Sequence, residues 1–341
     1  MERTLIFVLI VAVAAIVLKV SFAGAQAETP KTTGKIERFD AALDELIQQD
    51  AKIEVISTGH EWSEGPVWVE KGKYLLFSDI PRNHILKWKQ GEGVSVFMER
   101  SGYTGPQDFT GREPGTNGLT IDAKGRLVIC CHGDRQVKRV EEDGTKTVLA
   151  SRYEGKRLNS PNDLIYHSNG DLYFTDPPYG LPKGLEDPAR ELDWCGVYRL
   201  SRDGTLTLLT KEMTRPNGLA FSPDEKTFYV GQSDGEAPIW KAFEVLEDGT
   251  LGKSRLLFDG TELSKERPGS PDGMAVDERG NIWATGPGGV LVLTPQGKLL
   301  GRIALDNLTA NCAFGEDGKT LFMTADKVVC RVRTMVKGVG Y

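Results

Sequence analysis

The sequence contains few of the residues that build disulfide frameworks or zinc sites. Its 341 residues include five cysteines, an odd number, and no Cys-x-x-Cys pair. Neither a disulfide framework nor a zinc knuckle is therefore indicated, and the simplest role for these cysteines is that of small buried apolar side chains. Export from the cytoplasm would leave room for one bridge, but the sequence does not select the pair.

The chain also lacks an excess of positive charge. It has 42 Lys and Arg against 48 Asp and Glu, a formal net charge of −6, which argues against a nucleic-acid partner because such a partner favours a basic face. Apolar residues make up 39% of the chain, enough for a packed core and too many for a disordered chain. Alanine-rich helical runs are absent after residue 50, whereas 39 glycines and 17 prolines indicate many tight turns.

No apolar run is long enough to cross a bilayer comfortably. Residues 5–18 form the longest one, preceded by Arg3 and followed by small residues that fit a cleavage site after Ala25 or Ala27. Residues 1–27 are therefore predicted to be a secretory signal peptide, which implies a periplasmic or secreted protein with no membrane contact after cleavage. The alternative is an uncleaved membrane anchor, which Lys19 directly after the run would suit.

A repeated unit is the most informative feature of the sequence. Six segments begin with a position that is polar in five of the six and continue with alternating apolar residues: Glu64-Gly-Pro-Val-Trp, Asn117-Gly-Leu-Thr-Ile, Asn162-Asp-Leu-Ile-Tyr, Asn217-Gly-Leu-Ala-Phe, Asp272-Gly-Met-Ala-Val and Ala310-Asn-Cys-Ala-Phe. Each is followed by a turn and two further apolar runs, and the first five copies have a fourth run. Short strands joined by turns at this density are typical of antiparallel meanders.

Four strands per unit and a spacing of roughly 40 to 55 residues predict an all-β fold, a six-bladed β-propeller. The sixth copy has no clear fourth strand, and the free strand at Ile53–Ser57 is expected to supply it and close the ring. Residues 53–341 would then form one propeller domain. Residues 28–52 would be an N-terminal extension whose segment 39–50 has the apolar spacing of a short helix packed outside the ring.

The first position of each copy predicts a metal site. Innermost strands of all blades line the central channel of a propeller, so equivalent positions converge on its axis. The residues there are Glu64, Asn117, Asn162, Asn217 and Asp272, which offer only oxygen ligands, the kind that Ca²⁺ and Mg²⁺ prefer. The alternative is a set of unrelated turns, because Asn-Gly and Asp-Gly are common turn dipeptides. That alternative does not account for Glu64 or for Asn162, which precedes an aspartate.

Several segments together resemble the SMP-30/gluconolactonase family over about residues 36–333: Glu64-Gly-Pro, Arg157-Leu-Asn-Ser-Pro-Asn-Asp, Phe174-Thr-Asp-Pro-Pro-Tyr-Gly, Arg215-Pro-Asn-Gly-Leu and Ser270-Pro-Asp-Gly-Met. The resemblance implies a six-bladed propeller with one catalytic divalent cation in the channel, Ca²⁺ foremost and Zn²⁺, Mg²⁺ or Mn²⁺ as alternatives. The ligands it implies are Glu64, Asn162, Asn217 and Asp272. Asn117 is not among them, and it is interpreted as a supporting or turn residue.

The chemistry that the resemblance implies is hydrolysis of a lactone, in which water attacks the carbonyl and a carboxylate takes the proton. Asp272 is the first candidate for this base. Asp163 is the second, with a hydrogen-bonding role beside the metal as its alternative. Four residues are candidates for substrate contact: Arg157, His132, Asn162 and Tyr179. For His132 a purely structural role is an equal alternative, and for Tyr179 packing against a blade is the simpler explanation.

One apparent catalytic motif is discounted. Gly231-Gln-Ser233-Asp-Gly235 matches the Gly-x-Ser-x-Gly pattern of a nucleophile elbow, which requires a strand, a sharp turn and a helix. A meander continues here instead, so Ser233 is not expected to be a nucleophile.

The leading functional hypothesis is an exported, metal-dependent carboxylic ester hydrolase that opens a small sugar lactone such as glucono-1,5-lactone. Two alternatives remain: a hydrolase of the same fold that acts on organophosphates or other esters and lactones, and a non-catalytic ligand-binding propeller. A fold alone does not decide between them. The sequence makes no prediction about the oligomeric state.

Overall fold

Six antiparallel sheets, five of four strands and one of five, follow one another along the chain and around a central channel. The computed structural model describes residues 31–340, so the predicted signal peptide, residues 1–27, lies outside the described part. The prediction of an all-β, six-bladed propeller is confirmed. Within residues 31–340, none of the helices has the length and apolar character required to span a bilayer.

The first three blades are meanders in which the strand that comes first in the chain is innermost. Blade 1 consists of Ser63–Val69, Tyr74–Asp79, His84–Lys89 and Gly93–Glu99. Blade 2 consists of Thr116–Ile121, Leu127–Cys131, Gln136–Val140 and Lys146–Ala150. Blade 3 consists of Leu164–Tyr166, Leu172–Asp176, Gly196–Leu200 and Leu206–Thr210.

The last three blades repeat this order with one change at the end. Blade 4 consists of Pro216–Phe221, Thr227–Gln232, Ile239–Val245 and Leu251–Asp259. Blade 5 consists of Met274–Val276, Ile282–Gly286, Gly289–Leu293 and Leu299–Ala304. Blade 6 takes three strands from the end of the chain and its outer strand from the beginning: Thr309–Gly315, Thr320–Ala325, Val328–Arg333 and Ile53–Thr58.

The ring is closed by the strand that the sequence predicted. Ile53–Thr58 pairs antiparallel with Val328–Arg333, with Ile53 opposite Val332 and Thr58 opposite Val328. The pairing joins the two ends of the propeller domain within one sheet. It also satisfies backbone groups that would otherwise leave an exposed edge on each strand.

The N-terminal extension contributes a strand that the sequence did not indicate. Lys35–Arg38 pairs with Leu299–Ala304 and becomes a fifth, outermost strand of blade 5. Within the predicted helical segment 39–50, only Ala41–Glu45 is helical, as a 3₁₀ helix whose N-cap, Asp40, accepts a hydrogen bond from the Ala42 amide. Leu43 of this turn is fully buried in the core, which fixes the extension against the outside of the ring.

The remaining regular elements lie in the connections between strands. A small hairpin pairs Arg152–Tyr153 with Lys156–Arg157, a 3₁₀ turn spans Gly184–Glu186, and a short α-helix spans Thr261–Glu266.

Apolar side chains from neighbouring blades pack against each other and form the core. Between blades 1 and 6, for example, the ring of Trp68 stacks on that of Phe322 with centroids 5.6 Å apart, and Trp88 packs against the same ring. All five cysteines are free and buried, in keeping with their interpretation as small apolar side chains.

Candidate active site at one end of the channel

The six inner strands all begin at the same end of the channel, here called the site end, and finish at the other, the distal end. Four polar side chains from blades 1, 3, 4 and 5 meet at the site end. Glu64, Asn162 and Asn217 are only 2%, 1% and 4% exposed. Three oxygens there, Oδ1 of Asn162, Asn217 and Asp272, are buried and have no hydrogen-bond partner in the described structure.

The residue that follows the first position of each repeat explains how closely neighbouring blades approach. In four blades it is glycine, and a Cβ added at Gly65 or Gly218 would lie 2.0 or 2.1 Å from a backbone oxygen of the next blade. Backbone hydrogen bonds also cross between blades here, such as the 2.7 Å bond that Gly118 donates to the carbonyl of Asn162. The glycines therefore let neighbouring inner strands touch at the channel axis.

The other two blades place a polar side chain at this second position. These are Asp163 in blade 3 and Asn311 in blade 6, and Nδ2 of Asn311 lies 3.5 Å from Oδ2 of Asp163. Asn311 also interacts with Glu64 and lowers the pKa of that carboxyl. Blades 1, 3, 4, 5 and 6 thus contribute carboxylates and amides to one cluster.

Side chains at the ends of the second strands hold the loops that lead into this cluster. In blade 3 the buried carboxylate of Asp176 accepts hydrogen bonds from the amides of Asn159 at 2.7 Å and Ser160 at 2.8 Å. Asp79 in blade 1 does the same for Glu61 and Trp62. These bonds satisfy buried backbone donors and fix the position at which each inner strand enters the channel.

Charge interactions link the three carboxylates of the cluster, Glu64, Asp163 and Asp272. Burial raises the pKa of Glu64, and the negative charge of Asp163 raises it further. Burial and then the charge of Glu64 hold the pKa of Asp272 well above its usual range. Burial also raises the pKa of Asp163 to about 6. No cationic side chain is among the groups that lower these values, so the cluster is acidic without compensation from the protein.

The donor set fits a hard divalent cation. Residues 31–340 contain no group of three or more His, Cys, Asp or Glu side chains that could hold a metal. A group of that kind excludes amides, however, and two of the four predicted ligands, Asn162 and Asn217, are amides. Three buried acceptor atoms without partners, together with two carboxylates that repel each other, are the arrangement that a cation would stabilise. Glu64, Asn162, Asn217 and Asp272 are therefore the residues able to hold it.

Two of the predicted substrate residues lie beside this cluster and one lies further out. His132 is fully buried, with Nε2 at 3.4 Å from Nδ2 of Asn162. Tyr179 reaches from the long loop of blade 3 towards Ser233 and Asp272, and its burial raises its pKa. Arg157 lies in the small hairpin, where its guanidinium donates to the carbonyl of Asp134 at 3.2 Å. Asn117 is buried at the equivalent position of blade 2.

Sequence reasoning missed three residues of the cluster. Asn311 was overlooked because the sixth copy aligns its polar residue one position later than the others. Ser233 was considered only as a nucleophile, whereas it contacts Asn217. Glu113, with Oε2 at 2.8 Å from Nδ1 of His132, lies in the loop before blade 2, and no sequence pattern marked it.

Comparison with known proteins agrees with this geometry. The family model described as the SMP-30/gluconolactonase/LRE-like region matches residues 62–327. A gluconolactonase from Zymomonas mobilis is 43% identical over 317 residues, which cover 90% of this chain and 88% of that protein. Bovine regucalcin is 28% identical over 76% of this chain and 82% of its own length.

A solved structure is similar over nearly the whole described chain. It is a gluconolactonase from Xanthomonas campestris, with 35% identity and a TM-score of 0.78 over 90% of this chain and 96% of that one.

Proposed function

The chain belongs to the SMP-30/gluconolactonase/LRE-like family, and on that premise we propose that it is a divalent-cation-dependent lactonase, a carboxylic ester hydrolase that converts a sugar lactone such as glucono-1,5-lactone to the aldonic acid. The gluconolactonases from Zymomonas mobilis and Xanthomonas campestris support the substrate class. The observation that carries the metal dependence is the set of three buried, unpartnered oxygens beside two mutually repelling carboxylates.

Four residues would hold the cation: Glu64, Asn162, Asn217 and Asp272. When bound, a divalent cation supplies Lewis-acid stabilisation of the negative charge that develops on the lactone carbonyl oxygen. Ca²⁺ is the ion we propose because all four side chains offer hard oxygen donors, and the similarity to regucalcin is in keeping with a divalent cation.

A carboxylate of the cluster takes the proton from the attacking water. Water adds to the lactone carbonyl carbon, the ring C–O bond breaks, and the released alkoxide is protonated to a hydroxyl. Asp272 and Asp163 are the two candidates for the base. Burial raises the pKa of Asp163 to about 6 in the metal-free protein.

Of the remaining predicted residues, Tyr179 lies against the cluster, where its hydroxyl can hydrogen-bond to a ring hydroxyl of the sugar. His132 and Asn162 are not expected to contact the sugar directly, because the fully buried ring of His132 faces the amide of Asn162. Arg157 lies further out, where it can meet substituents of a longer substrate.

The direct test is proton release from glucono-1,5-lactone above the spontaneous rate, with and without EDTA. We expect EDTA to abolish release and Ca²⁺ to restore it, and Asp272→Asn to lower the rate by roughly 10² to 10³-fold. The matched control is Asp224→Asn, the same change in an exposed turn of blade 4, which should leave the rate unchanged. Activity that survives EDTA would refute the metal dependence, and no activity on any lactone of a panel would favour a non-catalytic or esterase-type propeller.

We further propose that the protein is exported after removal of residues 1–27, leaving residues 28–52 as an extension of the propeller 53–341. The basis is the sequence pattern of the N-terminal segment. Sequencing the N-terminus of protein recovered from cells distinguishes cleavage after Ala25 or Ala27 from a retained anchor.

A further inference from the structure

The amide nitrogens of the two asparagine ligands have partners, whereas their oxygens have none in the described structure. The amide of Asn217 also hydrogen-bonds to the carboxyl of Asp272, which can only accept from it when ionised. Nδ2 of Asn217 donates to Oγ of Ser233 at 2.7 Å, and Nδ2 of Asn162 faces Nε2 of His132 at 3.4 Å. Both Oδ1 atoms are buried and unpartnered. An amide that rotated by 180° would exchange these atoms and present N–H groups, which repel a cation, in place of oxygen.

The hydrogen bonds of Ser233 determine which amide atom of Asn217 faces its hydroxyl. Its hydroxyl has one proton, and that proton goes to the carbonyl oxygen of Pro271, which can only accept. Towards Asn217 the hydroxyl can therefore only accept. The atom of Asn217 that faces Ser233 must be the nitrogen, which leaves the oxygen directed elsewhere.

The same reasoning applies to His132 in blade 2. The carboxylate of Glu113 can only accept, and its Oε2 lies 2.8 Å from Nδ1, which favours a proton on that nitrogen. In the neutral ring Nε2 can then only accept, which requires the nitrogen of Asn162 opposite it. The Nδ1–H is not aligned with Oε2, but the carboxyl of Glu113 is 32% exposed and has room to turn towards it.

We propose that Ser233 and His132, the latter held by Glu113, are positioning residues that lock the amide orientation of Asn217 and Asn162 so that both oxygens are presented to the bound cation. This inference rests on the proposed metal dependence. It assigns a structural reason to the Gly-x-Ser-x-Gly segment at residues 231–235, in which Ser233 is an acceptor for a ligand's amide. Fixing a ligand in its binding orientation before the ion arrives reduces the entropy lost on binding.

The test measures Ca²⁺ binding to the full chain by calorimetry, with the Ca²⁺-induced rise in Tm as a second readout. We expect Ser233→Ala and His132→Phe each to weaken Ca²⁺ binding by roughly 10 to 100-fold. Ser233→Thr keeps the hydroxyl and His132→Gln keeps an acceptor near the Nε2 position, so both should recover most of the affinity. Ser101→Ala, which removes another buried hydroxyl away from the ligands, should bind Ca²⁺ like the wild type.

Activity at increasing Ca²⁺ separates this role from catalysis by Ser233. If Ser233 positions a ligand, saturating Ca²⁺ restores most of the kcat of Ser233→Ala; if Ser233 is a nucleophile, the variant binds Ca²⁺ normally and stays inactive, which would overturn the proposal. Unchanged affinity in both Ser233→Ala and His132→Phe would also overturn it and leave the metal site intact. A wild-type protein that binds none of Ca²⁺, Mg²⁺, Mn²⁺ and Zn²⁺ would refute the proposed metal dependence and this inference with it.

Discussion

Two aspartates flank the inner strand of blade 5, Met274–Val276, and their surroundings are opposite. Asp277, at the distal end, is fully buried and accepts hydrogen bonds from the amides of Arg279 and Asn281, the side chain of Asn281 and the indole of Trp283. Asp272, at the site end, has a buried Oδ1 with no partner, and the charge of Glu64 raises its pKa.

The same contrast extends to other residues at the two ends. At the distal end Arg126 pairs with both Asp122 and Glu141. A cavity of about 1310 Å³ extends along the channel from there, with Ile121 and Phe221 in its lining together with Asp163 and Asn311 of the site. At the site end, Glu64, Asp163 and Asp272 form no ion pair within residues 31–340. The distal end is therefore stabilised by hydrogen bonds and ion pairs within the protein. The site end keeps polar groups that a ligand can satisfy.

Replacing Asp277 or Asp272 with asparagine should separate the structural role of the distal end from the ligand-binding role of the site end. The difference in stability between these two variants is the largest effect we predict. Asp277→Asn turns an NH₂ group towards donors that need an acceptor, so we expect it to lower the free energy of unfolding by about 3 kcal/mol. Asp272→Asn removes a buried carboxyl whose ionisation is opposed by burial and by Glu64, so the metal-free protein should be as stable as the wild type or more stable, although its activity falls.

Chemical denaturation in EDTA measures both free energies of unfolding. The comparison would fail if Asp272→Asn proved as destabilising as Asp277→Asn. Such a result would mean that Asp272 has a structural role that its unpartnered Oδ1 does not suggest.

A second prediction concerns glycines at the two ends. In Gly218→Ala the new Cβ would lie 2.1 Å from the carbonyl oxygen of Asp272, and backbone atoms must shift to relieve the contact. We expect a loss of about 2 kcal/mol in the free energy of unfolding and a large loss of Ca²⁺ affinity, because the shifted residue is a ligand.

The matched variant is Gly125→Ala in a distal turn of blade 2. Gly125 has a φ of +79° and nothing within 4 Å of an added Cβ, so the cost is backbone strain of about 1 kcal/mol with Ca²⁺ binding unchanged. Equal Ca²⁺ affinity in the two variants would contradict the close approach of the blades at the site end.

The fold was predictable because its signal is repeated six times. Alternating apolar residues after a polar first position mark every inner strand, and the missing fourth strand of the last copy predicted the closing strand, Ile53–Thr58. The strand Lys35–Arg38 was not predictable, because its four residues show little alternation and their pairing depends on the exposed edge of blade 5.

The site was predictable where the repeat applies and not beyond it. Glu64, Asn162, Asn217 and Asp272 occupy equivalent first positions, so their meeting follows from the symmetry of the ring. Asn311 is displaced by one position, and Glu113 lies in a loop outside the repeat. The partner of each amide depends on contacts that no local pattern encodes. Ser233 contacts Asn217 within blade 4 and Pro271 beside blade 5, whereas His132 of blade 2 faces Asn162 of blade 3.

The smallest effect we predict is a pH dependence that Asp163 confers on the metal-free protein. Burial raises the pKa of Asp163 from 3.8 to about 6, so the folded protein binds a proton there more tightly than the unfolded chain does. Stability therefore falls as pH rises from about 4 to about 6, by about 1 to 2 kcal/mol, and this contribution is constant above that range.

Asp163→Asn should remove this part of the pH dependence, which thermal unfolding in EDTA measures as a difference from the wild type at pH 4 to 6, below the pKa of about 8 of Glu64. Asp176, whose pKa burial raises to about 7, contributes a similar slope in both proteins and cancels in the difference. If the difference curve were flat, the carboxylate of Asp163 would be as well solvated or paired as those at the distal end. The contrast between the two ends would then rest on Glu64 and Asp272 alone.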